Sequence, residues 1–246
     1  MGIDSIKQNN TYIDSVKTVL IFFVILGHTI EKCKLGGFSN EIQIFNFILL
    51  FHMPMFLFVS GYLTHIKDRS HYWQGVLRIL ETFFVFDIIR ILIDGNYSLA
   101  SLASPKWTLW YLLTLAYYRC LAFACRKVCG KVLIISSIAI SLVGGGISIG
   151  AALSFQRTLA FLPFFILGFV MSRDNIGIDW VRRIPKIVSI LIVVASVVFF
   201  YSYEGSLVPL FAGSYPYSAD SIVGTVGKCR EFLNKLIDNV MEFSYI

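Results

Sequence analysis

The hydrophobic residues fall into long, nearly uncharged runs that short polar segments separate. Runs of about 20 apolar residues have the length that an α-helix needs to cross a hydrocarbon core of about 30 Å. The runs do not alternate strictly between apolar and polar residues, as "VLIISSIAISLV" (132–143) illustrates, so transmembrane β-strands are not indicated. The pattern predicts an all-α, polytopic transmembrane helix bundle of about seven spans. The predicted spans are residues 14–32, 42–63, 74–93, 107–125, 132–150, 155–171 and 187–203.

The composition excludes a soluble protein. Of the 246 residues, 57% are hydrophobic and 15% are charged, and the mean hydropathy is +0.73. Soluble domains carry about 25% charged residues, so this chain has too few to cover a water-facing surface. We therefore expect the lipid bilayer as its surroundings and no nucleic acid as a partner, although the formal net charge is +6.

The distribution of Lys and Arg predicts the orientation, because cytoplasmic loops are enriched in these residues. If the N-terminus is cytoplasmic, the inside segments hold Lys7, Lys17, Lys67, Arg69, Arg126, Lys127, Lys131, Arg173, Arg182, Arg183 and Lys186. The outside positions are then Lys32, Lys34, Lys106 and Arg157. This imbalance predicts a bundle with a cytoplasmic N-terminus.

The first span carries ionisable residues on one face. Lys17 and His28 are eleven residues apart, which places them about 20° from a shared direction and about 16 Å apart along a helix. Asp14, three residues before Lys17, lies on the same side. Ionisable groups in a membrane usually face a bundle interior or a water-filled cavity. We therefore expect this face to line a bundle interior or a water-filled cavity, and the alternative is that His28 is a core histidine bonded to a neighbouring helix.

The second span carries a histidine beside a proline. Pro54 cannot donate a backbone hydrogen bond and frees the carbonyl of Leu50, so we expect a kink with His52 next to it. Because the loop after the first span is short, the first two helices should be antiparallel neighbours with both histidines facing one cavity. Ser60 and Gly61 should permit close approach of another helix. The alternative for His52 is a structural role at the kink.

The third span is the least apolar and contains two oppositely charged pairs at i, i+3 spacing. Arg78 with Glu81 and Asp87 with Arg90 could each neutralise one another inside the bundle, and for Asp87 and Arg90 we prefer this interpretation. Metal binding is not indicated near the cysteines of the fourth span, because no ligand set at zinc spacing surrounds them. We therefore expect no metal.

Four motifs carry a resemblance to a known family. They are "YIDSVKTVLIFFVILGH" (12–28), "FHMPMFLFVSGYL" (51–63), "WYLLTLAYYR" (110–119) and "RTLAFLPFFILGF" (157–169). Over roughly residues 11–175 the chain resembles the acyltransferase 3 family, in its branch of fucose 4-O-acetylase-like sugar O-acetyltransferases. The first two motifs in this order are fairly specific.

The resemblance implies a multi-pass enzyme of the bacterial plasma membrane. Such enzymes move an acyl group, usually acetyl from cytoplasmic acetyl-CoA, to a hydroxyl of an envelope or exported glycan. The implied partners are a sugar or polysaccharide acceptor and proteins of glycan synthesis or export. The family's pattern of a basic residue, ten residues and a histidine corresponds to Lys17 and His28. Its later basic positions correspond to Arg69, Arg78 and Arg157.

Acyl transfer to a hydroxyl needs a base for the hydroxyl proton and a positive group for the developing oxyanion. We expect His28 to act as the base or as a transient acetyl carrier, with Lys17 on the donor side and with Asp14 and His52 as further catalytic residues. Acceptor binding is assigned to Arg157 and Trp110. The donor phosphates are assigned to Lys67, Arg69 and Arg78. The alternatives are that these basic residues are membrane-border anchors and that Arg157 only snorkels.

The chain departs from the resembling family after the seventh span. Full-length members have about ten spans, so the resemblance implies a transmembrane domain over 1–203 that is shortened at its C-terminus. Residues 204–246 are then an extracytoplasmic loop and an amphipathic helix, the remainder of the same domain. Two other functions stay open: a carrier or accessory subunit of glycan export, and an inactive truncated remnant.

Overall fold

A computed structural model describes residues 3–33, 41–95, 109–146, 152–176 and 185–202, and the regular structure in these ranges is helical. The helices are α1 Ile3–Cys33, α2 Glu41–Tyr62, α3 Arg69–Asp94, α4 Leu109–Ala124, α5 Gly130–Gly146, α6 Phe155–Arg173 and α7 Lys186–Ser202, with a 3₁₀ turn at Ala152–Ser154. One helix coincides with each predicted span. The all-α prediction is therefore confirmed for the described ranges, and the predicted amphipathic helix within 204–246 lies outside them.

Three of these helices are long and apolar enough to cross a membrane. Their apolar windows are Ile13–Ile30 in α1, Ile44–Tyr62 in α2 and Phe155–Arg173 in α6. Shorter apolar segments occupy α4, α5 and α7, whereas charged residues interrupt α3. The count of seven membrane crossings and the cytoplasmic N-terminus thus stay predictions.

Helix capping sets the ends of α3, which starts five residues before the predicted span. The Asp68 carboxylate accepts hydrogen bonds from the backbone N–H groups of Ser70 (3.4 Å) and His71 (3.0 Å), the standard arrangement of a helix N-cap. These bonds hold the pKa of Asp68 below its usual value. At the other end Gly95 adopts a left-handed conformation with φ of 65°, which terminates the helix.

The chain forms two compact units that divide inside α2, between Met53 and Pro54. Of the described residues, the first unit contains α1, α2 up to Met53, and α7. The second contains the rest of α2 together with α3, α4, α5 and α6. The helix is continuous through Pro54, so the proline does not end α2, although it stands at the boundary of the units.

In the first unit, α1 and α2 pack as antiparallel neighbours, as predicted. The rings of Phe23 and Phe51 meet edge to face with centroids 4.9 Å apart. Gly27 faces Ile48, and a Cβ added at Gly27 would lie 3.3 Å from the Ile48 side chain. Because the contacts advance along α1 while they retreat along α2, the two helices run in opposite directions.

In the second unit, two glycines bring α2 and α6 into backbone contact. A Cβ added at Gly61 would collide with the carbonyl oxygen of Phe165, and one added at Gly168 would collide with that of Phe58. Small residues permit such close packing of membrane helices. The predicted close approach at Gly61 is confirmed, and its partner is α6.

Within α3, the predicted neutralisation of Asp87 by Arg90 is confirmed. Both side chains are buried, and the Nε and Nη2 of Arg90 each lie 2.8 Å from Asp87 Oδ1. Arg90 Nη1 also reaches Asp94 at 3.4 Å. Arg78 and Glu81 are both exposed, and no ion pair joins these two described residues.

Candidate functional site

The ionisable face of α1 has the predicted arrangement. Because α1 is a continuous helix, Lys17 and His28 lie on the same side of it. Lys17 Nζ lies 3.1 Å from Asp14 Oδ1, and Lys17 and His28 are half-buried while Asp14 is exposed. Exposed ion pairs of this kind contribute about 0–1 kcal/mol to stability. The Asp14 carboxylate therefore orients the Lys17 ammonium more than it stabilises the fold.

On α2, His52 is buried and is held by its own helix. Its Nδ1 lies 2.7 Å from the carbonyl oxygen of Ile48, one turn before it. We predicted the freed carbonyl of Leu50 as its neighbour, and the observed partner is the carbonyl of Ile48. Because a carbonyl oxygen only accepts hydrogen bonds, Nδ1 carries the proton and donates it. A neutral His52 ring then has its lone pair on Nε2.

The two histidines lie close together in the first unit. His28 follows Gly27 on α1 and His52 follows Phe51 on α2, so both histidines lie at the level where these two helices pack. The neighbouring contacts between Phe23 and Phe51 and between Gly27 and Ile48 explain why, since they set the register of α1 against α2. The structure thus brings together two of the predicted catalytic residues.

In the second unit, the predicted acceptor residues Arg157 and Trp110 are in contact. The Arg157 guanidinium carbon lies 4.8 Å from the Trp110 ring centroid, a cation–π distance. The indole is buried and stacks on Phe161, with centroids 5.8 Å apart. Near the start of α6, the Gln156 side-chain amide donates to the carbonyl of Gly144 at 2.9 Å and helps to fix the first turn. Arg157, half-buried, is therefore the more accessible member of the pair.

The predicted donor residues separate in the structure. Arg69 lies over the ring of Phe123 on α4, 5.7 Å from its centroid. Arg78, nine residues later on α3, lies about half a turn around the helix and is exposed. Lys67 is exposed in the loop after α2. The structure does not bring Arg78 to Arg69.

A group of residues around Phe123 was missed by the sequence reasoning. Arg126 lies 4.2 Å from the Phe123 centroid, and the rings of Trp73 and Tyr72 lie 5.2 and 5.8 Å from it. We call Arg69, Tyr72, Trp73, Phe123 and Arg126 the Phe123 cluster. The i, i+4, i+7 spacing of Arg119, Phe123 and Arg126 was the available signal. Arg126 had been interpreted only as an inside-loop charge.

Arg173, at the end of α6, positions the loop that carries Arg126. Its Nη1 donates to the carbonyls of Val128 (2.8 Å) and Arg126 (3.3 Å). Its Nε also donates to Asp174 at 2.7 Å, and this bond holds the pKa of the Asp174 carboxyl below its usual value. The clamp ties the loop between α4 and α5 to α6.

The loop after α2 is tied to the same end of α6. His65 forms a hydrogen bond with Ser172, in which His65 Nδ1 lies 3.1 Å from Ser172 Oγ. Burial, together with the nearby charge of Lys67, lowers the pKa of His65. The His65 imidazole is therefore mostly neutral at pH 7.

Comparison with known proteins decides the family. The family model of the acyltransferase 3 group, described as an acyltransferase domain, matches residues 10–228. The chain belongs to the acyltransferase 3 family. The match includes all the site residues named from the sequence, which are Asp14, Lys17, His28, His52, Lys67, Arg69, Arg78, Trp110 and Arg157.

One curated relative of this acyltransferase domain is nodulation protein NolL of Sinorhizobium fredii (strain NBRC 101917 / NGR234). It is 28% identical over 184 residues, which cover 65% of this chain and 48% of NolL. The chain therefore spans about half the length of that relative. No solved structure matches the chain.

Proposed function

We propose that this acyltransferase 3 protein is a multi-pass O-acetyltransferase of the bacterial plasma membrane. It moves an acetyl group from acetyl-CoA to a hydroxyl of a sugar in an envelope or exported polysaccharide. The observation that carries the proposal is the packing of α1 on α2 at the level of His28 and His52, in two helices of membrane-spanning length. Membership of the family gives this histidine pair its reaction class.

The reaction needs a base and a place for the transferred proton. In the proposal, His28 takes the proton of the sugar hydroxyl while the hydroxyl oxygen attacks the thioester carbonyl carbon. A C–O bond forms, the C–S bond breaks, and the resulting thiolate of CoA takes the proton back from the imidazolium. Lys17, on the same face of α1, stabilises negative charge on the donor side.

His52 is the second group in this proposal. Its Nδ1 donates to the Ile48 carbonyl, so Nε2 of the neutral ring is the nitrogen that can accept a hydrogen bond from the substrate hydroxyl or from His28. Fixing one tautomer in advance removes a reorganisation step from the reaction. His52 thus assists His28 in orienting and moving the proton.

The remaining assignments concern the two substrates. Lys67, Arg69 and Arg78 are proposed to attract the phosphates of acetyl-CoA from the cytoplasm. Arg157 is proposed to bind the polysaccharide acceptor, with Trp110 holding its guanidinium in place. The partners are therefore the glycan itself and proteins that synthesise or export it.

Acetyl transfer can be measured directly in membranes that contain the full chain. We expect base-labile radiolabel from acetyl-CoA in an added glycan acceptor, and we expect His28→Ala to remove it. His71→Ala is the matched control, because His71 is exposed on α3 outside the proposed site. Label that persists unchanged in His28→Ala would contradict the role of His28.

A carrier or accessory role in glycan export is the competing function. It would use His28, His52 and the charged residues of α3 as a polar path. The pairing of Asp87 with Arg90 favours neutralisation inside the bundle over such a path. Release of free CoA during turnover distinguishes the enzyme from a carrier, which consumes no acetyl-CoA.

A further inference from the structure

Arg119 on α4 is a cation that the mechanism above does not use. Its Nε is buried and has no hydrogen-bond partner within the described ranges. Buried donors in proteins are nearly always paired, because an unmade hydrogen bond leaves the loss of hydration uncompensated. The unpaired Nε therefore points to a ligand that supplies an acceptor.

The neighbouring helix α3 leaves room for the Arg119 guanidinium, and no described carboxylate neutralises it. A Cβ added at Gly75 on α3 would lie only 3.0 Å from Arg119 Nη1, so glycine leaves the room that the guanidinium occupies. The Tyr72 hydroxyl donates to the backbone carbonyl of Arg119 at 2.7 Å, which ties α3 to α4 at this level. This bond does not depend on the Arg119 side chain.

Two further arginines lie near the C-terminal end of α4: Arg69 at the start of α3 and Arg126 just after α4. Phe123 follows Arg119 by one turn, and the guanidiniums of Arg126 and Arg69 lie 4.2 and 5.7 Å from its centroid. In the part of the chain that the structure describes, no carboxylate pairs with any of these three arginines. Arg126 Nη1 donates to the carbonyl of Phe123 at 2.6 Å, which leaves its positive charge unneutralised. Guanidiniums without a carboxylate partner beside aromatic rings suit a phosphate-bearing ligand with a nucleobase.

We propose that Arg119, Arg126 and Arg69 bind the phosphate groups of the acyl-CoA donor, with the aromatic rings of the Phe123 cluster beside its adenine. The identity of the donor rests on the proposed function. The assignment adds two residues with no role from the sequence, Arg119 and Arg126, to Arg69. The exposed Lys67 and Arg78 keep the proposed role of attracting the phosphates and are not part of this cluster. An anionic lipid headgroup offers the same phosphate chemistry. CoA is favoured over the lipid because its adenine can lie beside the aromatic rings while a phosphate accepts from the buried Nε, whereas a lipid headgroup offers only the phosphate.

The test is calorimetric titration of CoA into the full-length protein in phosphatidylcholine nanodiscs. We expect Arg119→Gln to raise the Kd of CoA by about 10- to 100-fold, as for the loss of a charge-assisted hydrogen bond. Gly75→Ala retains every charge but crowds the guanidinium, so it should raise the Kd by a smaller factor. Lys131→Gln, which removes an exposed cation at the start of α5, should leave the Kd unchanged.

Two comparisons separate the sources of phosphate. Pantetheine lacks the phosphates, so its Kd should be the same for Arg119→Gln and for the parent protein. The thermal unfolding midpoint of Arg119→Gln should also match that of the parent protein, because the Tyr72 bond is retained. An unchanged Kd for CoA in Arg119→Gln would overturn the proposal. The proposal would also be overturned if Arg119 were needed to retain phosphatidylglycerol but not to bind CoA. Arg119-dependent CoA binding without acetyl transfer would instead contradict the proposed function and support this assignment.

Discussion

Replacing His52 distinguishes a catalytic histidine from one that only supports α2. His52→Asn keeps a side-chain N–H that can donate to the Ile48 carbonyl but removes the basic Nε2. His52→Leu removes both the donor and the base. The hydrogen bond to Ile48 is 2.7 Å long and buried. His52→Asn retains this structural contribution and His52→Leu loses it, while both variants lose the base.

The expected magnitudes follow from that geometry. A buried neutral hydrogen bond contributes about 0.5–1.5 kcal/mol to the free energy of unfolding. Because the Ile48 carbonyl keeps its backbone hydrogen bond, the loss of free energy in His52→Leu should lie at the lower end of this range. His52→Asn should unfold at the parent's denaturant midpoint. If His52 assists proton transfer, both variants should lower kcat by about 100-fold or more.

The assay combines denaturant unfolding in detergent with acetyl-transfer kinetics in proteoliposomes. His28→Asn serves as the comparison for loss of the base at its neighbour. Parent-like kcat in His52→Asn, with a loss only in His52→Leu, would refute the catalytic role. The result would then support a structural role for His52 in α2, beside Pro54.

Two further predictions concern the packing of the second unit. Arg90→Met should destabilise the protein by about 3–5 kcal/mol because it leaves Asp87 buried without its partner. Adding Asp87→Leu to this variant should restore most of the lost free energy of unfolding. Equal losses in the single and double variants would contradict this prediction. Gly168→Val should cost about 1–3 kcal/mol because its side chain collides with the backbone of Phe58. Leu167→Ala, at the exposed neighbouring position, is the control. Equal unfolding midpoints in Gly168→Val and Leu167→Ala would refute the close helix contact.

The hydropathy pattern predicted the helices well because apolar sequence and helix formation coincide over most of each predicted span. It was less accurate at the start of α3, where the Asp68 cap sets the first turn and the hydropathy pattern does not. The close contact of Gly61 was predicted from residue size. Its partner on α6 was not, because pairing residues so distant in sequence requires the tertiary packing.

The candidate site was predictable where it depends on local helical geometry. The Lys17 and His28 face follows from a single helix, and the approach of His52 follows from a short loop between neighbours. The Phe123 cluster could not be predicted in the same way, because Arg69 and Arg126 meet at Phe123 only once α3 packs on α4. The inside-loop charge of Arg126 concealed a specific contact.

The stoichiometry of a single reaction tests the proposed acetyl transfer. The full chain in proteoliposomes would receive labelled acetyl-CoA and a glycan acceptor, and free CoA thiol and base-labile glycan label would be measured together. We expect one CoA to be released for each acetyl group transferred, with both signals absent in His28→Ala. Glycan movement or binding with no CoA release would contradict the proposed transfer.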